Sequence, residues 1–370
     1  MEFHNLLSKM VKARASDLFI KVGSPPSMRI DGRIRFLQDE PTTPETAKKI
    51  LHMITKARGY NLSEYLDSGG HLRREIDIAY DLRKVGRFRC NISSQRGQLF
   101  FVLRTVSRAI MTFEDLKLPR EQLIKLASIT RGMVLVTGVT GSGKSSTLAT
   151  MVNYINHHMN KHIITIEDPI EYVFKDKRSI ITQREIGQDT ASFPDAIRAA
   201  MRQAPDVLMI GEMRDQETFE FGLTAAETGH LVFGTLHAGT VSQSIGRILG
   251  LFPPDKHHVL RQGLQFNLRS IICQKLVPSP VRGRQPINEI LIASPIVKKI
   301  LAEGADKKLN AVMMGGREDG MMTFDQCLLG HCKAGVIEVD MALKYATNPD
   351  QFKLRVQGIE LGGSSGGIIG

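Results

Sequence analysis

The stretch Gly138-Val-Thr-Gly-Ser-Gly-Lys-Ser145, with Ser146 behind it, carries the clearest chemistry in this chain. Gly138, Gly141 and Gly143 let the backbone curl, so that successive N–H groups and the start of a following helix face phosphate oxygens. Lys144 supplies a point charge for the β- and γ-phosphates of a nucleotide, and the Ser145 hydroxyl is placed to reach its Mg²⁺. The nucleotide-binding set is therefore Gly138, Thr140, Gly141, Ser142, Gly143, Lys144, Ser145 and Ser146. Hydrolysis needs a carboxylate beside it. DVLMIGEMRD (206–215) ends an apolar run with Gly211 and Glu212, so Glu212 is positioned to orient or deprotonate a water. Glu167, in the cluster Glu167-Asp168-Pro-Ile-Glu171, is the candidate for Mg²⁺ or its waters. Asp168 and Glu171 suit a structural turn equally well.

GHLVFGTLH (229–237) raises a separate question. In one regular strand the seven-residue spacing sends His230 and His237 to opposite faces, which argues against a shared metal ion. For Glu212 the alternative reading is that it and Arg214 simply cap the strand-to-helix loop.

The elements that must hold these groups are legible. MVLVT (133–137), HIITI (162–166), DVLMI (206–210), LVFGTL (231–236) and IICQKLV (271–277) are apolar runs separated by helical stretches, the pattern of a parallel sheet covered on both faces. Ligands of such sheets bind at the strands' C-terminal edge, where the phosphate loop, Glu167 and Glu212 all fall. Residues 1–112 read as a small α+β domain. Helical spacing over Phe3–Val11 is followed by strands at 17–22 and 28–37, the second broken by an Asp31-Gly32 turn, then a helix over 41–54 and strands at 75–82, 86–93 and 99–106. Residues 113–293 form the second domain, 294–360 a helical region, and LGGSSGGIIG a flexible tail at 361–370.

Composition sets limits on the class. The 370 residues are 42% hydrophobic and 24% charged, with no apolar run of membrane-spanning length. The N-terminus lacks signal-peptide features, which predicts a cytoplasmic protein. Four scattered cysteines, Cys90, Cys273, Cys327 and Cys332, make neither a zinc module nor a disulfide framework. The net charge of +11 permits nucleic acid, membrane or acidic protein as a partner, but no Lys/Arg tract selects among them.

GVTGSGKSST, TIEDPIEY, RQAPDVLMIGEMRD and TAAETGHLVFGTLHA, in this order, resemble the ATPases of the type II secretion and type IV pilus superfamily. Within it the chain is most similar to the pilus retraction ATPases, the PilT/PilU family, from SDLFIKVGSPPSMRIDGRI through QREIGQDTASF to FDQCL. The resemblance implies an α/β fold: a RecA-like P-loop ATPase domain, preceded by a small PAS-like α+β domain and followed by a helical C-terminal extension. It implies ATP and Mg²⁺ as cofactors and a homohexamer in which arginines reach the neighbouring subunit's site. The matching positions are Arg89 and Arg104, with Arg198 and Arg202 as further nucleotide-facing arginines four apart on one helix face; Arg87 is a substitute for Arg89. It also implies that His230 and His237 both lie near the phosphates, a bend at Gly234 overcoming their odd spacing.

An inner-membrane pilus platform protein, a PilT-type partner ATPase and a peripheral location at the inner membrane at the pilus base follow from the same resemblance, and no nucleic acid is expected. One departure is visible. Where the family's retraction element carries arginines, SPIVKKILAEG (294–304) has Lys298 and Ala302, which favours a PilU-type accessory role or co-motor over an autonomous motor. The rivals are a pilus-assembly or secretion ATPase, a RecA-like nucleic-acid translocase, and a weakly active nucleotide-binding subunit.

Overall fold

The structure, a computed structural model, describes residues 2–57, 61–67, 71–106, 110–281 and 283–359. The tail expected at 361–370 lies outside them. The chain divides into two compact units: Met1–Ala109 with Pro169–Phe174 and Glu185–Asp189, and Ile110–Asp168 with Lys175–Arg184 and Thr190–Gly370.

The first unit contains α1 (Phe3–Lys12), β1 (Asp17–Lys21), β2 (Ser27–Ile30), β3 (Arg33–Phe36), α2 (Pro44–Lys56), β4 (Ile76–Leu82), β5 (Gly86–Gln95) and β6 (Gln98–Val106). Its six strands form one sheet in the order β3-β2-β1-β6-β5-β4, and the recorded pairs are antiparallel. Phe3, Leu6, Leu7 and Met10 form the buried stripe of α1, spaced three and four apart as a helix requires. Thr43 caps α2 by accepting from the Thr46 amide, with Pro44 in the first turn. The inward residues Phe88, Cys90 and Ile92 of β5 alternate with half-buried ones, leaving a polar outer face.

The second unit begins with α3 (Phe113–Leu116) and α4 (Arg120–Ala127), then β7 (Gly132–Thr137), α5 (Lys144–His158), β8 (His162–Glu167) and β9 (Ile180–Glu185). It continues through α6 (Phe193–Ala200), β10 (Val207–Ile210), α7 (Gln216–Glu227), β11 (Leu231–Leu236), α8 (Val241–Leu249), α9 (His257–Asn267), β12 (Leu268–Ser279) and β13 (Gly283–Ile292). Among the described residues five α-helices follow: α10 (Pro295–Glu303), α11 (Leu309–Gly315), α12 (Phe324–Lys333), α13 (Val339–Tyr345) and α14 (Pro349–Val356). The sheet order is β13-β12-β7-β11-β10-β8-β9. β12, β7, β11, β10 and β8 run parallel, while β13 returns antiparallel to β12.

All residues of β7, β10 and β11 are buried, as a strand covered on both faces must be. The α/β class expected for this chain is the one observed, with its small α+β domain and C-terminal helices. Two strands, β9 and β13, were not anticipated. Among the described residues no helix is long and apolar enough to cross a membrane. All four cysteines are free, and burial pushes the Cys273 and Cys327 thiols up to about 11, which makes them poor nucleophiles.

Candidate nucleotide-hydrolysis site

The apolar run of β7 ends at Thr137, and the chain turns through the glycine loop into α5. Gly138, Gly141 and Gly143 have φ of 149°, 79° and 90°, values that residues with a Cβ adopt only at a cost. The loop delivers Lys144 to the first position of α5. The residue is 9% exposed, and its Nζ donates to the Gly138 and Val139 carbonyls at 2.8 and 3.2 Å. Ser145 and Ser146 follow, half-buried, in the same first turn. A cavity of about 470 Å³, lined by Val139, Thr140, His237, Ala238, Gly239 and Gln243, opens beside the loop.

Glu212 lies just past the end of β10, and the Gly211 amide there bonds to the Ile166 carbonyl of β8 at 2.8 Å. Both of its oxygens are engaged. Oε2 meets Arg214 Nη2 at 2.6 Å, and Oε1 meets His237 Nε2 at 2.9 Å. Burial by itself raises the Glu212 carboxyl. The Arg214 hydrogen bond and charge, with His237 and Lys144 behind them, outweigh burial and hold it below the usual carboxylate range. Glu212 is therefore ionised, as a base for water has to be. The sign gives a test: Arg214→Gln removes the largest lowering influence, so the acid limb of the pH–rate profile moves to higher pH. An unmoved limb in a pH titration of the hydrolysis rate contradicts this role.

Glu167 ends β8 at 6% exposure. Thr165 donates to its Oε1 at 2.8 Å, and Gln183 Nε2 lies 3.4 Å from the same atom. Among the described residues no group of three or more metal-binding side chains exists. The Ser145 hydroxyl and Glu167 carboxylate are oxygen ligands of the type Mg²⁺ takes from a protein when phosphate and water supply the rest. Asp168 is exposed and contributes its charge to Arg214. Sequence reasoning did not anticipate the Arg214–Glu212–His237 chain. The adjacency of Arg214 to Glu212 was its only local signal, and His237 comes from another strand.

His230 is not brought to this edge. Its carbonyl accepts from Gly132 N at 3.0 Å, at the start of β7, and its Nδ1 lies 2.9 Å from the Ala225 carbonyl. β11 pairs with β7 without a break from Leu231↔Gly132 to Leu236↔Thr137, so the six strand residues between the histidines span roughly 20 Å. The bend expected at Gly234 does not occur. A Cβ there would lie 2.7 Å from Met213 Cε, so this glycine serves close packing.

The arginines divide. Arg89 and Arg104 face each other across β5 and β6, and Asp17 of β1 is the next partner of Arg104. Arg104 Nε and Arg29 Nε lie 2.9 and 3.4 Å from Asp17, forming a basic row across the sheet. Arg87 is committed to Glu185 and, at 3.2 Å, to Asp81, with 11% of its side chain exposed; it does not substitute for Arg89. Arg198 lies 3.4 Å from both Asp195 and Glu217 and stacks over Phe221 at 4.9 Å. The expected helix face shared by Arg198 and Arg202 is not formed. α6 ends at Ala200, which leaves Arg202 exposed in the following turn.

Residues 2–289 match the family described as type II/IV secretion system protein. The chain belongs to this family. It is 41% identical to the type IV pilus ATPase PilU of Pseudomonas aeruginosa, over 96% of this chain and 92% of that protein. It is 36% identical to the same organism's type IV pilus retraction ATPase PilT, over 95% of this chain and 100% of that one. A crystal structure of the pilus retraction motor PilT with bound ADP superimposes with a TM-score of 0.85 at 40% identity, covering 95% of this chain and 98% of that chain.

Proposed function

We propose that this chain is a P-loop ATPase that couples ATP hydrolysis to type IV pilus retraction, and hence to twitching motility, as a PilU-type accessory or co-motor. The observation that carries the hydrolytic reading is the convergence on one sheet edge of the phosphate loop, Lys144, and the ionised Glu212 held by His237 and Arg214. On nucleotide binding, phosphate oxygens replace the Gly138 and Val139 carbonyls at the Lys144 ammonium. The loop amides and the start of α5 hold the phosphates, while Ser145 and Glu167 hold Mg²⁺, which neutralises phosphate charge when bound. Glu212 orients the attacking water and takes its proton; for that, one of its two engaged oxygens must be released. His237, bonded to Glu212 and lining the adjacent cavity, senses the γ-phosphate.

The pilus assignment rests on similarity to PilU and PilT along nearly the whole chain. The same similarity supports a homohexamer in which Arg89 and Arg104 reach the neighbouring subunit's nucleotide. Its working site is the cytoplasmic face of the inner membrane at the pilus base, with the platform protein and a PilT-type ATPase as partners. The accessory role is supported by α10, a well-formed helix that carries Lys298 and Ala302 in place of the family's arginines. Domain limits near residues 112 and 293 complete this reading. Replacing the native allele with Lys144→Ala tests it in the cell: twitching is expected to be lost or reduced under load, and unchanged retraction overturns the assignment.

A further inference from the structure

The glycines of the phosphate loop are pressed against a residue far away in sequence. Gln274 lies in β12, one position beyond Cys273, whose partner in β7 is Thr137, the last residue before the loop. It is 3% exposed. Its Nε2 donates to the Ser142 carbonyl at 2.7 Å, while its Oε1 accepts from Thr147 Oγ1 at 2.7 Å and from Asn288 Nδ2 at 3.1 Å. A Cβ on Gly138 would meet the Gln274 carbonyl oxygen at 2.4 Å, and one on Gly143 would meet Gln274 Nε2 at 2.7 Å. The loop is glycine at these two places for closeness to Gln274 as well as for its backbone angles.

We infer that Gln274 is a positioning residue for nucleotide binding, one amide that fixes the Ser142 carbonyl, the first turn of α5 through Thr147, and β13 through Asn288. This rests on the nucleotide reading of the loop given above. The chemistry requires an amide. A peptide carbonyl only accepts, so Nε2 must face Ser142, and Oε1 is then turned toward the two donors. A carboxylate would set oxygen against the Ser142 carbonyl. An apolar side chain of the same length would leave three buried polar groups without this partner, a costly arrangement. Gln274 acts through the loop, by its bonds to Ser142 and Thr147. It holds the loop in the shape that aims its N–H groups at phosphate, in the ground state and the transition state alike. Interactions of that kind set KM and leave kcat nearly unchanged.

The test uses the full chain with Gln274→Met and Thr147→Val, measuring ADP affinity by calorimetric titration and KM and kcat for ATP. Gln274→Met is expected to raise the ADP Kd and the ATP KM about tenfold, and Thr147→Val about threefold, with kcat within about threefold of native. A role confined to stability would lower the melting temperature or kcat while KM and Kd stay native, and that result overturns the inference. Should Gln274→Met fail to fold, Thr147→Val decides, and native KM and Kd in it overturn the inference. Absence of ADP binding to the native chain would defeat the nucleotide reading itself and this inference with it. Native binding with unaltered variants defeats only the role of Gln274.

Discussion

Glu212→Gln is expected to bind ADP within about threefold of the native chain and to lose about 10²–10⁴ of the hydrolysis rate. The amide keeps the shape of the carboxylate and can still pair with one of its neighbours. Lys144 and the glycine loop, the proposed phosphate-binding groups, are untouched. What disappears is the basic oxygen that His237 and Arg214 hold ionised from either side. Calorimetry for ADP together with phosphate release for ATP separates the two effects. A variant that loses binding and turnover in proportion would place Glu212 in the binding machinery and remove it as the base.

The two histidines should behave in opposite ways. His237→Ala removes a side chain that contacts Glu212 and lines the cavity beside the loop, and is expected to lower kcat by about 10², the scale of losing one group aimed at the reacting centre. His230→Ala acts at the far end of β11, where the ring is bonded to the Ala225 carbonyl and not to anything at the phosphate edge. Its kcat is expected to stay within about threefold of native. Steady-state kinetics on the purified pair checks both. Equal losses would mean that His230 does reach a phosphate, against the unbroken β11–β7 pairing.

Much of this arrangement was legible because the central strands are simple. β7, β10 and β11 are buried apolar runs and β8 and β12 contain one, and the ligand-binding edge of a parallel sheet follows from strand direction alone. β13 was missed because its apolar run, INEILI, is broken by Asn288 and Glu289. Both are buried: Asn288 donates to Gln274, and Glu289 accepts from the Val241 amide at 2.7 Å. Buried polar residues with distant partners carry no periodic signal. β9 was missed as a half-buried edge strand.

The length of the unbroken β11, and not the alternation of its faces, separates His230 from His237, and the expectation that both reach the phosphates failed when Gly234 was read as a bend. Met213, which fills the space at Gly234, is about twenty residues away in sequence and invisible to local reasoning. Arg202 was placed on a helix that ends two residues before it, at Ala200, and the chain turns through Ala204, whose φ is 49°, before the next strand.

The central claim is that this chain hydrolyses ATP at the edge where the phosphate loop meets Glu212. Inorganic phosphate release by the purified native chain, run beside Lys144→Ala, tests it most directly. Steady release by the native chain that falls to the no-enzyme level in Lys144→Ala is the predicted result. Equal release by the two proteins, or none from the native chain at saturating ATP and Mg²⁺, would contradict it.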